Sequence, residues 1–185
     1  FVDANGDGLA DSAVPILTTD LKSIVPIWEA GKELANATSA SRKILTWTDA
    51  NNNGVVDPGE QQDFNTANCA ALRDYLRYAG DACAGSSNAM NLINFIRGDE
   101  VTGLRTRMLE VPVGSGNYKV WRLGDPIHST PTIVGAPKAR YDLSYGDSAY
   151  NAFYQQYRNR RQVIYVGAND GMLHAFNGGY YHKGD

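Results

Sequence analysis

Two apolar runs on either side of a tight-turn sequence constrain the fold more than any other feature of this 185-residue chain. Residues 163–167 and 172–176 are rich in aliphatic and aromatic side chains, and Asn169, Asp170 and Gly171 lie between them. Asn, Asp and Gly accept the positive φ angles that tight hairpin turns require. The sequence therefore predicts a β-hairpin here, and the fold must contain an antiparallel sheet.

Two segments before the hairpin also predict strands. Residues 118–123 alternate apolar and polar side chains, and residues 130–134 are rich in β-branched residues. Residues 149–161 are rich in tyrosine, and we interpret them as a helical insertion or a long loop. We therefore assign residues 104–185 to an antiparallel β region.

The first part of the chain predicts helices instead. Apolar residues recur at helical spacing in residues 20–36 and 63–78. Residues 89–96 form a short apolar run that Gly98 would end as a C-cap. Residues 1–103 therefore form a predicted helical region, and the fold class is α+β.

Between the first two predicted helices, a 12-residue segment matches the calcium loop of an EF-hand, with Gly54 at the sharp turn. Ca²⁺ takes about six to eight oxygen ligands, which explains the alternating Asp and Asn positions. The predicted ligands are Asp49, Asn51, Asn53, the Val55 carbonyl, Asp57 and Glu60. The site would link the helices on either side, and its two neutral asparagines predict weaker binding than in cytosolic buffers. A plain Asn/Gly turn is the alternative.

A shortened copy of the same motif lies near the start of the chain. Its predicted ligands are Asp3, Asn5, Asp7, the Leu9 carbonyl and Asp11. Val14 stands where the motif has its closing glutamate, so a bidentate ligand is missing. We expect a second, weaker calcium site, and a solvated acidic turn is the alternative.

The two cysteines, Cys69 and Cys83, are fourteen positions apart. Redox and metal pairs usually have C-x-x-C spacing, so we predict a structural disulfide. Only 20% of the residues are charged, and glycine and tyrosine are abundant, which is typical of exported proteins. We expect a piece of a longer polypeptide that is exported through the periplasm to the cell surface.

Net charge and hydropathy exclude two classes of partner. The net charge of -3 argues against nucleic acid, and no apolar run reaches the about 18 residues of a membrane span. His128, Ser129 and Asp125 are near neighbours, whereas the members of a catalytic triad converge from separate elements. We read His174 as a packed or solvent-facing strand residue rather than a ligand, and His182 lies in a Gly/Tyr tail. We therefore predict no catalytic residues and no enzyme activity.

Arg97, Gly98 and Asp99 spell the integrin-binding tripeptide. Recognition by an integrin requires this tripeptide at an exposed loop tip. Here it directly follows the apolar run of residues 89–96, so we favour a helix end with its glycine cap. An integrin-type site is the alternative.

Several segments of the chain match motifs of one known family. Residues 123–131, followed by residues 134–137, look like the L-G-D-I-x-H-S-x-P and V-G-A-P block of the PilC/PilY family of type IV pilus tip adhesins. Residues 165–176 are similar to its Y-V-G-A-N-D-G-M-L-H-A-F segment. Residues 28–31 and 94–98 also resemble sequence that the family carries upstream.

The resemblance implies a modified β-propeller and a role in pilus assembly, retraction control and surface attachment, with calcium as a regulator. A propeller blade takes about 40–45 residues in four strands, and about four or more blades close the ring. This chain supplies one blade, or two at most. The expected partners are therefore the rest of the propeller, or pilus-tip and pilin-like subunits, with a host or abiotic surface as the target of adhesion. The expected location is the extracellular pilus tip.

Two other functions remain as alternatives. Residues 163–176 also resemble a repeat of quinoprotein dehydrogenase propellers, but the chain has one copy and no redox motif. The two calcium-type loops resemble those of dockerins, which act as calcium-dependent docking modules. Dockerin loops lie closer together than Asp3 and Asp49, and dockerins have no long β-hairpin.

Overall fold

The structure is a computed structural model that describes Pro26 and residues 28–179. It divides into two compact units. The first unit is Trp28–Leu123, and the described part of the second is Pro26 and residues 124–179. The division at residue 103 that the sequence indicates stays a prediction.

The first unit combines short helices with two small antiparallel sheets. Strand β1 pairs with β2, and β3 pairs with β4. In chain order its elements are α1 (Ala30–Asn36), β1 (Leu45–Trp47), β2 (Gln61–Asp63), a 3-10 turn (Thr66–Asn68), α2 (Cys69–Leu72), α3 (Asn88–Arg97), β3 (Met108–Glu110) and β4 (Tyr118–Val120).

Helix α1 confirms only the last part of the first predicted helix, because Trp28 and Glu29 precede it outside the helix. Residues 20–25 and Ile27 lie outside the described residues, so the start of that prediction is not tested. A Cβ on Gly31 would lie 2.2 Å from Cζ2 of Trp121, so the absence of a side chain allows the indole ring to lie against α1. Arg122 also binds this helix, because its guanidinium donates to the Leu34 carbonyl at 3.1 Å.

The helix predicted for residues 63–78 is wrong in extent. Asp63 belongs to β2, and α2 has only four residues. The chain leaves the helical path after Leu72, where Arg77 adopts a positive φ of 64° and the Tyr78 amide donates to the Arg73 carbonyl at 2.7 Å. The apolar spacing that predicted a long helix instead supplies side chains to the core.

The core of the first unit lies between α2 and α3. Its buried members are Phe64, Cys69, Leu72, Ala89 and Ile93. Ile93 and Cys69 are its largest fully buried side chains. This core therefore joins the end of β2 to the two helices that follow it.

Helix α3 confirms the prediction for residues 89–96. It ends at Gly98, which has a φ of 110° and donates its amide to the carbonyls of Asn94 and Phe95. Only glycine adopts this left-handed conformation at little cost, which explains the C-cap.

The second unit is built on one three-stranded antiparallel sheet with β6 in the centre. Its elements are β5 (Thr132–Val134), α4 (Tyr141–Tyr145), α5 (Ser148–Tyr157), β6 (Gln162–Gly167) and β7 (Leu173–Gly179). The predicted hairpin is confirmed, with Val166 opposite His174 and Tyr165 opposite Ala175. Helices and antiparallel strands together confirm the α+β class, and the described strands form no closed barrel.

Candidate metal centre

The predicted calcium loop connects the two strands of a β-hairpin. Trp47 pairs with Gln61, and the Thr48 amide donates to the Glu60 carbonyl at 2.9 Å, which closes the base of the loop. The prediction that helices flank the loop is therefore wrong, because β1 precedes the loop and β2 follows it. The EF-hand template predicted helices, whereas the flanking residues pair as strands.

Asp49 holds the first turn of the loop. Its Oδ1 accepts a hydrogen bond from the Asn53 amide at 2.9 Å, and its Oδ2 accepts one from the Gly54 amide at 2.8 Å. Asn52 and Gly54 have positive φ angles of 58° and 73°. The motif glycine thus stands where the backbone needs a left-handed conformation.

Three of the predicted ligands meet at one carboxylate oxygen. The side-chain amides of Asn51 and Asn53 donate to Oδ2 of Asp57 at 2.7 and 2.8 Å. The amide oxygens of the same two asparagines accept from the backbone amides of Asn53 at 3.1 Å and Val55 at 2.7 Å. The loop therefore gathers these three polar side chains around a common point.

Glu60 closes the loop from its base and is only 7% exposed. Its Oε1 accepts a hydrogen bond from the Ala50 amide, and its Oε2 accepts one from the Asp57 amide, both at 2.9 Å. A buried carboxylate is costly unless hydrogen bonds compensate for lost hydration. These two bonds fix Glu60, the last predicted ligand, to Ala50 and Asp57, which are the second and ninth residues of the loop.

The residues of the loop fit a hard cation by type. The predicted side chains are three carboxylates and two amides, and Ca²⁺ prefers such oxygen ligands. The three carboxylates are held by neutral N–H groups, so a divalent cation would compensate their negative charge. The loop suits calcium by residue type, although the carboxylate oxygens of Asp49, Asp57 and Glu60 do not all lie within 4.8 Å of one another, so calcium binding stays a prediction.

Cysteine chemistry does not provide a competing metal site. We consider groups of three His, Cys, Asp or Glu residues whose donor atoms all lie within 4.8 Å of one another. In the part of the chain that the structure describes, the only such group is Cys69, Asp81 and Cys83. Cys69 and Cys83 form a disulfide, with their Cα atoms 5.7 Å apart, so neither offers a thiolate. The predicted disulfide is therefore present in the structure.

The disulfide-closed segment contacts the loop through a residue that sequence reasoning missed. The Tyr75 hydroxyl donates to the Asp49 carbonyl at 3.1 Å. From its spacing we had assigned Tyr75 to the apolar face of a helix. Since a tyrosine hydroxyl can bind any nearby carbonyl, no sequence signal would have identified this contact.

Asp81 is a second residue that the sequence analysis did not single out. The Ser87 hydroxyl lowers the pKa of its carboxyl group, and the amides of Cys83 and Ala89 act in the same direction. These amides donate to its two oxygens at 2.8 and 3.2 Å. The carboxylate thus fixes the turn at the disulfide to the start of α3.

Two predicted sites are not tested by the structure. The weaker loop, formed by Asp3, Asn5, Asp7, Leu9 and Asp11, lies outside the described residues, as does His182. The integrin-type tripeptide is described, and the Arg97 guanidinium donates to the carbonyls of Phe64 and Ser39, each at 2.7 Å. This use of Arg97 within the fold favours the helix-end interpretation.

In the second unit, the two segments that resemble the PilC/PilY family bind each other. The Gly124 amide donates to Asp170 Oδ2 at 3.2 Å, and the Asn169 amide donates to the Asp125 carbonyl at 3.1 Å. We call these contacts, together with the bond from the Gly167 amide to Ser129 Oγ at 2.9 Å, the hairpin clamp. A Cβ on Gly124 would lie 2.8 Å from the Asp170 nitrogen, so a side chain would disturb the clamp.

The clamp assigns structural roles to polar residues that sequence reasoning considered for catalysis. His174 is 7% exposed, and its Nε2 lies 2.8 Å from Asp170 Oδ2. Ser129 accepts a strand amide through its hydroxyl oxygen. Asp125 contributes its backbone carbonyl. Sequence reasoning identified the turn, but it left open whether His174 is packed or solvent-facing, and it missed the contact between the two segments.

Helices that combine the length and apolar character needed to cross a bilayer are absent from the described residues. Comparison with known proteins shows that the chain is 40% identical over 121 residues to the Type IV pilus biogenesis factor PilY1 homolog of Xylella fastidiosa. It is 32% identical over 162 residues, or 81% of the chain, to the Type IV pilus biogenesis factor PilY1 of Pseudomonas aeruginosa strain UCBPP-PA14.

These matches cover most of this chain but a small part of the relatives. The first spans 64% of the chain and 9% of the Xylella protein, and the second spans 12% of the Pseudomonas protein. No protein-family model and no solved structure matches the chain. The resemblance seen in the sequence is therefore confirmed as homology to one segment of much longer proteins.

Proposed function

We infer that this chain, a homologue of one segment of the PilY1 type IV pilus biogenesis factors, serves type IV pilus biogenesis as a calcium-binding module that recognises other proteins. The single observation that carries the proposal is the similarity of 81% of the chain to a curated pilus biogenesis factor. Under this proposal the protein acts at the pilus tip on the cell surface, where it also contributes to attachment.

The geometry of the second unit supports binding as the mode of action. The contact between Asp170 and the buried His174 holds the hairpin turn, and Ser129 holds a strand amide. These side chains are used for the fold, so they are poorly placed to act on a substrate. The relatives are named as type IV pilus biogenesis factors.

Calcium is part of the proposal because of the loop between β1 and β2. The ion would be held by Asp49, Asn51, Asn53, Asp57, Glu60 and the Val55 carbonyl. It would supply positive charge to three carboxylates and so hold the loop in one conformation. A ligand that binds only the folded state stabilises it by mass action, so calcium would favour the assembly-competent form.

The proposed partners follow from the open sheet of the second unit. Among the described residues, strands β5 and β7 each pair on one side only, whereas a propeller blade has four strands. Ile133 on β5 is 61% exposed, and Leu173 on β7 is 72% exposed. Open edges with apolar side chains invite pairing with another strand. We therefore assign this role to a strand from the rest of a propeller or from a pilin-like subunit.

Co-sedimentation with purified type IV pili tests the proposed function. The full chain is mixed with pili from the bacterium that encodes it, with calcium or with a chelator. We expect the chain to sediment with pili and to do so more strongly in calcium. A monomer that stays in the supernatant under both conditions would contradict the proposal.

A further inference from the structure

We propose that the α4–α5 hairpin is a docking surface for an acidic face of a type IV pilus subunit. This proposal rests on the proposed function and names the residues that make the contact. The hairpin lies between β5 and β6 in the chain and contains no buried residue. Short helices normally gain their stability from packing an apolar face, so two helices without one require another explanation.

Five aromatic side chains of this hairpin contact one another in a row. Successive ring centroids lie 5.0–5.9 Å apart and are tilted by 49–59°. Edge-to-face contacts of this kind are favourable for aromatic pairs. We call this set the aromatic ladder, and its members are Tyr145, Tyr141, Tyr150, Phe153 and Tyr157.

Contacts at its base hold the ladder in place before any partner binds. The Tyr150 hydroxyl accepts a hydrogen bond from the Ala139 amide at 3.1 Å, and the Arg140 guanidinium lies 4.2 Å from the centre of the Tyr154 ring. The Arg160 side chain donates to the Gly135 carbonyl. A preorganised surface loses less conformational entropy on binding, so these contacts favour recognition.

The outer end of the ladder is open to solvent. Tyr145 is 81% exposed, and Tyr141, Leu143 and Phe153 are also exposed. Tyrosine, phenylalanine and arginine are enriched at protein interfaces, and tyrosine and arginine are frequent energetic hot spots. The composition of this surface therefore fits a protein partner.

The charge around the ladder indicates what that partner carries. Residues 138–161 contain five basic and two acidic side chains, within a chain of net charge -3. Both acidic groups are already engaged, since Asp142 pairs with Arg140 at 3.0 Å and Asp147 accepts the Tyr150 amide at 2.9 Å. Lys138 and Arg158 are exposed, so the complementary surface is acidic.

The tilt of the rings argues against two other ligands. Sugars and nucleic acid bases stack on open ring faces. In the ladder, neighbouring rings are tilted by 49–59°, so they present no pair of parallel faces between which a sugar or base could be sandwiched. An acidic protein surface with aliphatic side chains can instead contact ring edges, hydroxyl groups and the exposed Lys138 and Arg158.

Binding of variants to purified type IV pili tests this surface. The full chain carrying Tyr145→Ala and Arg158→Glu is compared with the parent and with Val113→Ala, a residue that is 92% exposed in the first unit. We expect the double variant to lose affinity about tenfold or more. The Val113→Ala control binds like the parent, and raising the salt concentration weakens parental binding.

The outcomes separate this inference from the proposed function. If the parent binds pili and the double variant binds equally well, the docking surface is wrong, while the proposed function stands. If the parent itself does not bind, both are contradicted. Circular dichroism checks that the double variant is folded, and the single Arg158→Glu variant gives a milder test with the aromatic ladder unchanged. Binding to phosphatidylglycerol vesicles is measured in parallel. If the double variant loses about tenfold in affinity for these vesicles but binds pili like the parent, the surface binds lipid and the proposal is overturned.

Discussion

His174 Nε2 lies 2.8 Å from Asp170 Oδ2, and the same oxygen accepts the Gly124 amide at 3.2 Å. One carboxylate thus holds both the strand that leaves the hairpin turn and the segment that precedes β5. Its other oxygen accepts the Met172 amide at 3.0 Å. The N-D-G turn is therefore also an anchor for residues more than forty positions away in sequence.

Replacing Asp170 by alanine is expected to destabilise the chain by about 1–3 kcal/mol, because buried His174 and the Gly124 amide lose their acceptor. Urea unfolding measures the change. Asn169→Ala is the matched control, since only its backbone amide takes part in the hairpin clamp. Equal stability of the two variants would contradict the role assigned to Asp170.

Calcium is expected to raise the melting temperature of the parent, and Glu60→Gln is expected to reduce the calcium affinity about tenfold or more because one ligand loses its charge. Calcium titration followed by differential scanning calorimetry measures both effects. Gln61→Ala, at the neighbouring exposed position of β2, serves as the control. If neither calcium nor chelator changes the melting temperature, the loop is a plain turn without a calcium site.

The disulfide is expected to stabilise the fold by about 3 kcal/mol in the chain-entropy model. Cys69→Ser combined with Cys83→Ser should lose this amount in chemical unfolding. Tyr75 belongs to the same closed segment and binds the Asp49 carbonyl, so the double variant should also bind calcium more weakly. Intact mass after alkylation without reductant checks the premise, and uptake of two alkyl groups would refute it.

Asp81 is expected to make the stability depend on acidic pH. Its folded-state pKa lies below the usual value of 3.8, so its contribution is complete above that value and is lost as the pH falls through the lower, folded-state pKa. In the Asp81→Asn variant, the free energy of unfolding should therefore change less with pH in this acidic range. Asp74→Asn is the control, because its exposed carboxylate makes one long contact of 3.8 Å with Arg73. Parallel profiles for Asp81→Asn and the parent would exclude the proposed linkage.

The sequence predicted those parts of the fold that depend on neighbours in the chain. The β6–β7 hairpin follows from its turn residues, and the end of α3 follows from Gly98. The turn at Asp49 likewise follows from the spacing of Asn53 and Gly54, whose amides reach one carboxylate.

Features that depend on distant partners were missed or misjudged. The helix expected over residues 63–78 is cut short because the backbone turns at Arg77, within the segment that the disulfide closes. Strands flank the calcium loop because β1 and β2 pair with each other, whereas the motif alone implies helices. The contact between Asp125 and Asn169 depends on the folded sheet and leaves no local pattern.

The position of residues 49–60 between the two strands of a β-hairpin has a mechanical consequence. Leu45 and Asp63 are the pair at the open end, and Trp47 and Gln61 are the pair beside the loop. Tension applied along the chain at residues 44 and 64 would load these pairs one after another, as in opening a zipper. The loop would come under load last, so its fold would persist until the strands that carry it had separated.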